Sequence, residues 1–502
     1  MTGHLSATIK TNTLLLALAI AVQLTSPIQA SSQSGQQSRY RLVDLGTFGG
    51  PASSFADLSN RGTAVGWENT ATTDSLCFFA PNCFTTHSFQ ARNGAITDLG
   101  VLPGGDSSAA CCISSSGLIA GQSETGEFDP VYGLPVLHPV LWRNGQMIDL
   151  GLLPGGGIGG ASGDVNDRGQ VVGNALNTVP DPCNLIGLPT QFRAFSWQNG
   201  VMQDLGTLGG PDASAFFIND HGQVTGISHT DLINPATGCP FLHPFFWQNG
   251  TMLDIGTLGG DEAQPQSLNQ LGQVVGISRV AGNAANHPFL WSKGQLTDLG
   301  TLGGDEGETT FINDSGDIVG EADLHGSTFH HAVLWKDGQM VDLGVLPGDS
   351  CSTAYFVNSH GQIVGSSTDQ ALCGHAGKHA VLWESGEPMD LNTLIPPGAS
   401  LTLTFAFAIN DKGEIAGFGV PPGCAPQDVG GVCGHAYTLI PCGVGEECVN
   451  TTLGPDTASA IPYLFNMSPT RPQTGSASPL ERLRNQLRQK FHMPGQGRLP
   501  SD

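Results

Sequence analysis

Two neighbouring stretches decide how this chain reads: Asp204-Leu205-Gly206-Thr207-Leu208-Gly209-Gly210, and Ala215-Phe216-Phe217-Ile218-Asn219-Asp220-His221-Gly222 running into Gln223-Val224-Thr225-Gly226. After an insert come His243-Pro244-Phe245-Phe246-Trp247 and Asn249-Gly250, and Asp254-Ile255-Gly256 starts the series again. Asn-Gly and Asn-Asp-x-Gly between apolar runs specify tight hairpins, because Asn and Gly tolerate the positive φ of such turns. One unit is therefore four short antiparallel strands.

Working outward, Asp-Leu-Gly or a close variant stands at Asp44, Asp98, Asp149, Asp204, Asp254, Asp298 and Asp342, with a degenerate Asp390-Leu391-Asn392, at spacings of 44 to 55 residues. The turn station recurs at Asn60, Asn166, Asn269, Asn313, Asn358 and Asn410, with Ser114 standing in once. The third station carries His87, His138, His243, His287, His331, His379 and His435. A four-stranded unit repeated in this way is the pattern of a propeller blade, which buries its faces only against neighbours. Tyr40–Gly46 is a fourth strand with no unit before it, and His435–Ile440 a third strand with no fourth after it. Pairing the two would complete an eighth blade and remove two open sheet edges. The expectation is an all-β, eight-bladed propeller over residues 40–440.

His331-Ala332-Val333-Leu334-Trp335 and His379-Ala380-Val381-Leu382-Trp383, together with Asp-Leu-Gly-Thr-Leu-Gly-Gly, resemble the HAF family of secreted bacterial repeat proteins over about residues 40–440. The resemblance implies export and no established activity. Pro replaces the middle Ala at Pro139, Pro244 and Pro288, and Arg193 replaces His in the third unit.

Antiparallel alternation puts the tight turns on one face. The Gly-rich links and the variable inserts fall on the other, where function is expected, since non-repeating loops on a rigid scaffold usually carry it. Residues present in every unit read as scaffold: the Asp as a turn acceptor, the His as a strand hydrogen-bonder, and Trp142, Trp197, Trp247, Trp291, Trp335 and Trp383 as packing between blades. Trp67, outside that series and beside the longest insert, is the ligand-stacking candidate. Asp261 with Glu262 and Asp305 with Glu306, in two links, are the acidic ligand-binding candidates.

The 12 cysteines suit disulfides in an oxidising compartment. Cys77 with Cys83, Cys424 with Cys433 and Cys442 with Cys448 enclose short loops. Cys183 with Cys239 would bridge two blades, and Cys351 with Cys373 two loops of one blade, while the state of Cys111 and Cys112 stays open. No HExxH, GxSxG, P-loop or dinucleotide fingerprint is present. No catalytic residue, metal ligand set or cofactor is assigned. Calcium fits poorly, because Asp164-Val165-Asn166-Asp167-Arg168-Gly169 has Arg where a ligand is needed.

The chain has 502 residues with 70 Gly and 32 Pro, only 12% charged and 39% hydrophobic, which suits turn-rich β structure rather than disorder or helical arrays. A net charge of −24 argues against nucleic acid. Lys10, the apolar run Leu14–Val22 and the small residue Ala30 read as a signal peptide over residues 1–30, followed by a linker at 31–39. Residues 441–478 read as a linker. Ser478-Pro479-Leu480-Glu481 starts a basic amphipathic helix over 479–493, with Leu480, Leu483, Leu487 and Phe491 on one stripe, before a tail at 494–502. These features lead to a secreted, monomeric, non-enzymatic scaffold without a transmembrane segment, binding an extracellular protein or glycan. The alternatives are an extracellular hydrolase or lyase with an acidic site, and a structural surface protein without a ligand.

Overall fold

The fourth repeat shows how the motif becomes structure in a computed structural model of the protein. Its strands are Gly209–Ile218, Val224–Ile233, Pro240–Gln248 and Thr251–Asp254, each antiparallel to the next. The Asn249-Gly250 turn takes φ of 52° and 84°, the left-handed values its sequence foretold. In the first strand Phe216 is an extra, bulged residue between Ala215 and Phe217. Gly226 lies opposite that bulge, where a Cβ would run into the Ser214 carbonyl oxygen. The same close approach recurs at Gly66, Gly121, Gly173, Gly276, Gly320, Gly365 and Gly417, which explains why the second strand of each unit carries glycine as its third residue.

The structure describes residues 39–452, apart from 78, 81, 130–132, 156, 158, 186–189, 328, 370–372, 374–376, 425–432 and 444–447. The expected signal peptide and C-terminal helix lie outside the described residues. Strands dominate, and among the described residues there is no α-helix.

Eight four-stranded units follow one another, beginning with Gly49–Leu58, Ser108–Ile113, Gly160–Val165, Gly209–Ile218, Gly259–Leu268, Gly303–Ile312, Cys351–Val357 and Thr402–Ile409. A single parallel bridge, Leu242 to Glu262, joins the fourth and fifth units. In the eighth, Tyr40–Asp44 pairs antiparallel with His435–Pro441, so the N-terminal strand supplies the missing fourth strand. The stretch expected as a linker adds a short outer strand, Thr451–Thr452, parallel to Val43 and Asp44.

Apolar clusters fill the spaces between consecutive units. Val172 and Ala194 of the third pack with Ala213, Val224 and Phe245 of the fourth. Phe405, Ala408 and Ala416 of the eighth pack with Phe55, Ala64 and Phe89 of the first. The order of contacts thus returns to its start. Burying each such Phe contributes about 1.5–3 kcal/mol.

A second tie runs along the turn face. Asn166 Nδ2 donates to Asn219 O, Asn219 to Asn269 O, Asn269 to Asn313 O, Asn313 to Asn358 O and Asn358 to Asn410 O, at 3.0–3.2 Å. Asn410 then donates to Ser59 O of the first unit at 3.2 Å. This corrects the sequence alignment: the turn station of the first unit is Ser59, not Asn60. Asn60 occupies the next position and accepts from Asp411 N–H at 3.1 Å.

Candidate functional site

The repeated histidine and aspartate turn out to be partners. His243 Nδ1 lies 2.9 Å from Asp254, whose Oδ1 also accepts the Gly256 N–H at 2.7 Å. Equivalent pairs are His87–Asp98, His138–Asp149, His287–Asp298 and His331–Asp342, each at 2.8–2.9 Å. Arg193 substitutes with a bidentate grip on Asp204, at 2.9 and 3.1 Å. In the eighth unit the pair is His435–Asp44 at 2.9 Å, joining residues 391 apart in sequence. The seventh departs: His379 turns to Asp349 at 3.0 Å, and Asp390 accepts the Asn392 N–H instead. Each pair belongs to its own unit and holds a strand end to the following turn. Trp142, Trp335 and Trp383 likewise donate to the carbonyls of Leu99, Leu299 and Leu343 in the preceding links.

The ligand candidates fare differently from their sequence reading. Trp67 is only 2% exposed, because it occupies the core station held by Ile227 in the fourth unit, so its ring offers no face to a ligand. Asp261 accepts from Asn234 Nδ2 at 2.9 Å, and Glu262 lies 3.7 Å from Arg279. Glu306 takes the Asn286 N–H and side-chain amide of the preceding unit at 3.3 and 2.9 Å, while Asp305 stays exposed. Asp261, Glu262 and Glu306 are thus each tied to a different side chain, Asn234, Arg279 and Asn286. The cysteines pair as Cys77–Cys83, Cys183–Cys239, Cys351–Cys373, Cys424–Cys433 and Cys442–Cys448, and Cys111 is joined to Cys112.

What distinguishes the insert face is an asymmetry between its halves. In units one to four the second strand runs ten residues, ending at Thr73, Phe128, Pro180 and Ile233. In units five to eight it runs only six or seven. The four long hairpins project as adjacent arms, and they expose Leu76 at 36%, Phe128 at 60%, Val179 at 48%, Leu232 at 62% and Ile233 at 57%. Their length was legible in the sequence, where the closing Gly and the His or Arg station stand 17 to 21 residues apart in the first four units and 11 to 14 in the next three. The exposure of their apolar side chains was not.

At the base of the third and fourth arms, Asp181, Asp212 and His229 place one ligand-type atom each within 4.8 Å of one another, and all three are buried. Burial, then the closeness of Asp181, holds the Asp212 carboxyl well above the usual range, against hydrogen bonds from the Leu185 and Phe192 N–H groups at 2.8 and 2.9 Å. Four more acids are raised mainly by burial, Glu124 to about 7 among them. Asp57 and Asp164 are raised to about 6 and about 7 although they accept the Ile113 and Ile218 N–H groups of the next units at 2.9 and 3.0 Å. Glu68 is pushed to about 9 by burial and then by Asp98 and Asp44, and neither of its carboxyl oxygens has a hydrogen-bond partner. None of Asp181, Asp212, His229 or Glu68 was singled out in the sequence. Their stations vary from unit to unit, and the cluster draws on two units.

No protein-family model matches the chain, and no curated protein does. Among solved structures it is similar to the β-propeller domain of the Trilobed protease from Pyrococcus furiosus, at 10% identity and a TM-score of 0.40, over 68% of this chain and 97% of that one. It is also similar to the acylaminoacyl peptidase of Pyrococcus horikoshii, at 11% identity and 0.40, over 74% and 58%. With TolB from Acinetobacter baumannii the values are 12% and 0.31, over 55% and 62%. The chain thus spans less than two thirds of the peptidase and of TolB. Likenesses this distant carry no activity across. The class, an all-β protein of propeller-type four-stranded units, rests on the strand pairing itself.

Proposed function

We propose that this protein is a secreted, HAF-like, eight-bladed closed propeller that acts as a binding scaffold, and that its partner engages the four arms of units one to four. The observation that carries this is the exposure of Leu76, Phe128, Val179, Leu232 and Ile233 on the inserts of four consecutive units. Exposed apolar side chains gathered on one face mark an interaction surface. A protein is favoured over a glycan, because the arms offer aliphatic side chains and one Phe, whereas the station tryptophans Trp142, Trp197, Trp291, Trp335 and Trp383 are buried. Asp74, Glu127 and Asp231 beside the apolar residues favour a partner with basic groups at its rim. Secretion is supported by the cysteine pairs and the N-terminal apolar run.

The test is a binding screen against extracellular proteins and glycans, comparing the full chain with a Phe128→Ser, Val179→Ser, Leu232→Ser, Ile233→Ser variant. Loss of the detected binding with an unchanged melting temperature is expected. Retention of all of it would place the interaction elsewhere.

A further inference from the structure

We propose that Asp181, Asp212 and His229 form a binding site for one divalent cation of the zinc type, which fastens the arm of the third unit to the fourth. Asp181 lies in the insert of the third unit, Asp212 near the start of the first strand of the fourth, and His229 on that unit's second strand. They are 4%, 0% and 4% exposed.

The hydrogen bonding fixes the carboxylates and leaves one acceptor over. Asp212 is held through both oxygens by the Leu185 and Phe192 N–H groups, at 2.8 and 2.9 Å. Asp181 Oδ1 accepts the Cys183 N–H at 2.9 Å, whereas its Oδ2 is buried without any hydrogen-bond partner. Ionised side by side out of water, the two carboxylates repel each other, and a buried oxygen without a donor is costly. The guanidinium of Arg193 reaches Pro211 O at 3.1 Å but is committed to Asp204. A cation resolves both deficits.

The donor set indicates which cation. Calcium takes six to eight oxygens, but one donor here is an imidazole. Two carboxylates and a histidine suit zinc, bound at about 2.0–2.2 Å with water completing a tetrahedron. Atoms already within 4.8 Å of one another need only small side-chain shifts to meet that sphere. The backbone N–H groups that hold Asp181 and Asp212 are the outer-shell partners such a site requires. The site also adjoins the Cys183–Cys239 bridge between the same two units, so metal and disulfide would brace one junction.

The full chain, with disulfides intact and stripped by chelator, is titrated with zinc chloride by calorimetry, and bound zinc is counted by atomic emission. One zinc per chain is expected, with a rise in melting temperature on binding. Asp181→Asn and His229→Gln should each weaken binding by more than about tenfold, at least the loss seen on removing an outer-shell partner. Both should also abolish the zinc-dependent rise while keeping the near-ultraviolet dichroism of the folded chain. His287→Gln, which breaks an exposed repeat pair, should leave the site intact. The proposal is overturned if the wild type takes up no zinc, if both variants bind it as the wild type does, or if calcium outcompetes zinc there.

Discussion

Glu68→Gln should stabilise this protein more the higher the pH. Glu68 sits opposite His87 on the second strand of the first unit, 1% exposed. The matching position is Ser123, Ser228, Ser278 or Ser367 in four other units, and Ala175, Ala322 or Gly419 in the rest. The serines serve a local purpose: Ser228 Oγ accepts the Leu208 N–H at 2.9 Å and donates to Asp212 O at 3.1 Å. A carboxyl in that niche finds no such partner. Burial raises it from 4.5 to about 9, so the folded chain keeps a proton that the unfolded chain releases. Between those two values stability falls by about 1.4 kcal/mol per pH unit, because the folded state binds one more proton. Glutamine keeps the shape and removes the titration. The stability difference between variant and wild type should therefore grow by about 4 kcal/mol from pH 5 to pH 8. Urea unfolding with intact disulfides, at several pH values, measures it. A difference that does not change with pH would refute the reasoning, since it would mean that the folded chain ionises Glu68 as easily as the unfolded one.

Three further outcomes follow from the packing. Asn269→Ala should lower stability by about 2 kcal/mol in chemical denaturation, because it leaves the buried Asn313 O without its donor and the part-buried Leu271 and Gln273 N–H groups without their acceptor. Deleting residues 39–45 removes the buried Tyr40, Leu42, Val43 and Leu45 and the His435–Asp44 pair, on the order of 8 kcal/mol of apolar burial alone. The truncated chain should aggregate on refolding, and a monomer melting like the intact chain would count against the N-terminal strand as a structural requirement. Cys183→Ser with Cys239→Ser opens a link spanning 56 residues, which on loop entropy should cost about 4 kcal/mol, read as a lowered melting temperature.

Much of this was legible in the residues. Asn249-Gly250 and Asn219-Asp220-His221-Gly222 announced their hairpins because positive φ and side-chain-to-backbone bonding are local properties, satisfied within a few residues. The orphan Tyr40–Gly46 strand announced its destination because a repeat leaves a gap of known shape. The cysteine pairs that enclose short loops were visible for the same local reason. Trp67 was misread because burial belongs to a station in the sheet, and a large side chain at an insert boundary looks the same whether it points outward or into the core. The scaffold roles of the repeated His and Asp were legible, but not that they bond to each other. In five units the two lie 11 residues apart along the chain and meet only when the hairpin between them closes.

By itself, then, the sequence determined the strand content, the four-stranded unit, the number of units and the place of the N-terminal strand, since each follows from periodic local chemistry. The tertiary structure alone decided which departures from the repeat matter. The arms of units one to four, the meeting of Asp181, Asp212 and His229, and the isolation of Glu68 arise where unlike stations of neighbouring units come together. Burial and through-space distance are properties of that packing, and no single repeat contains them.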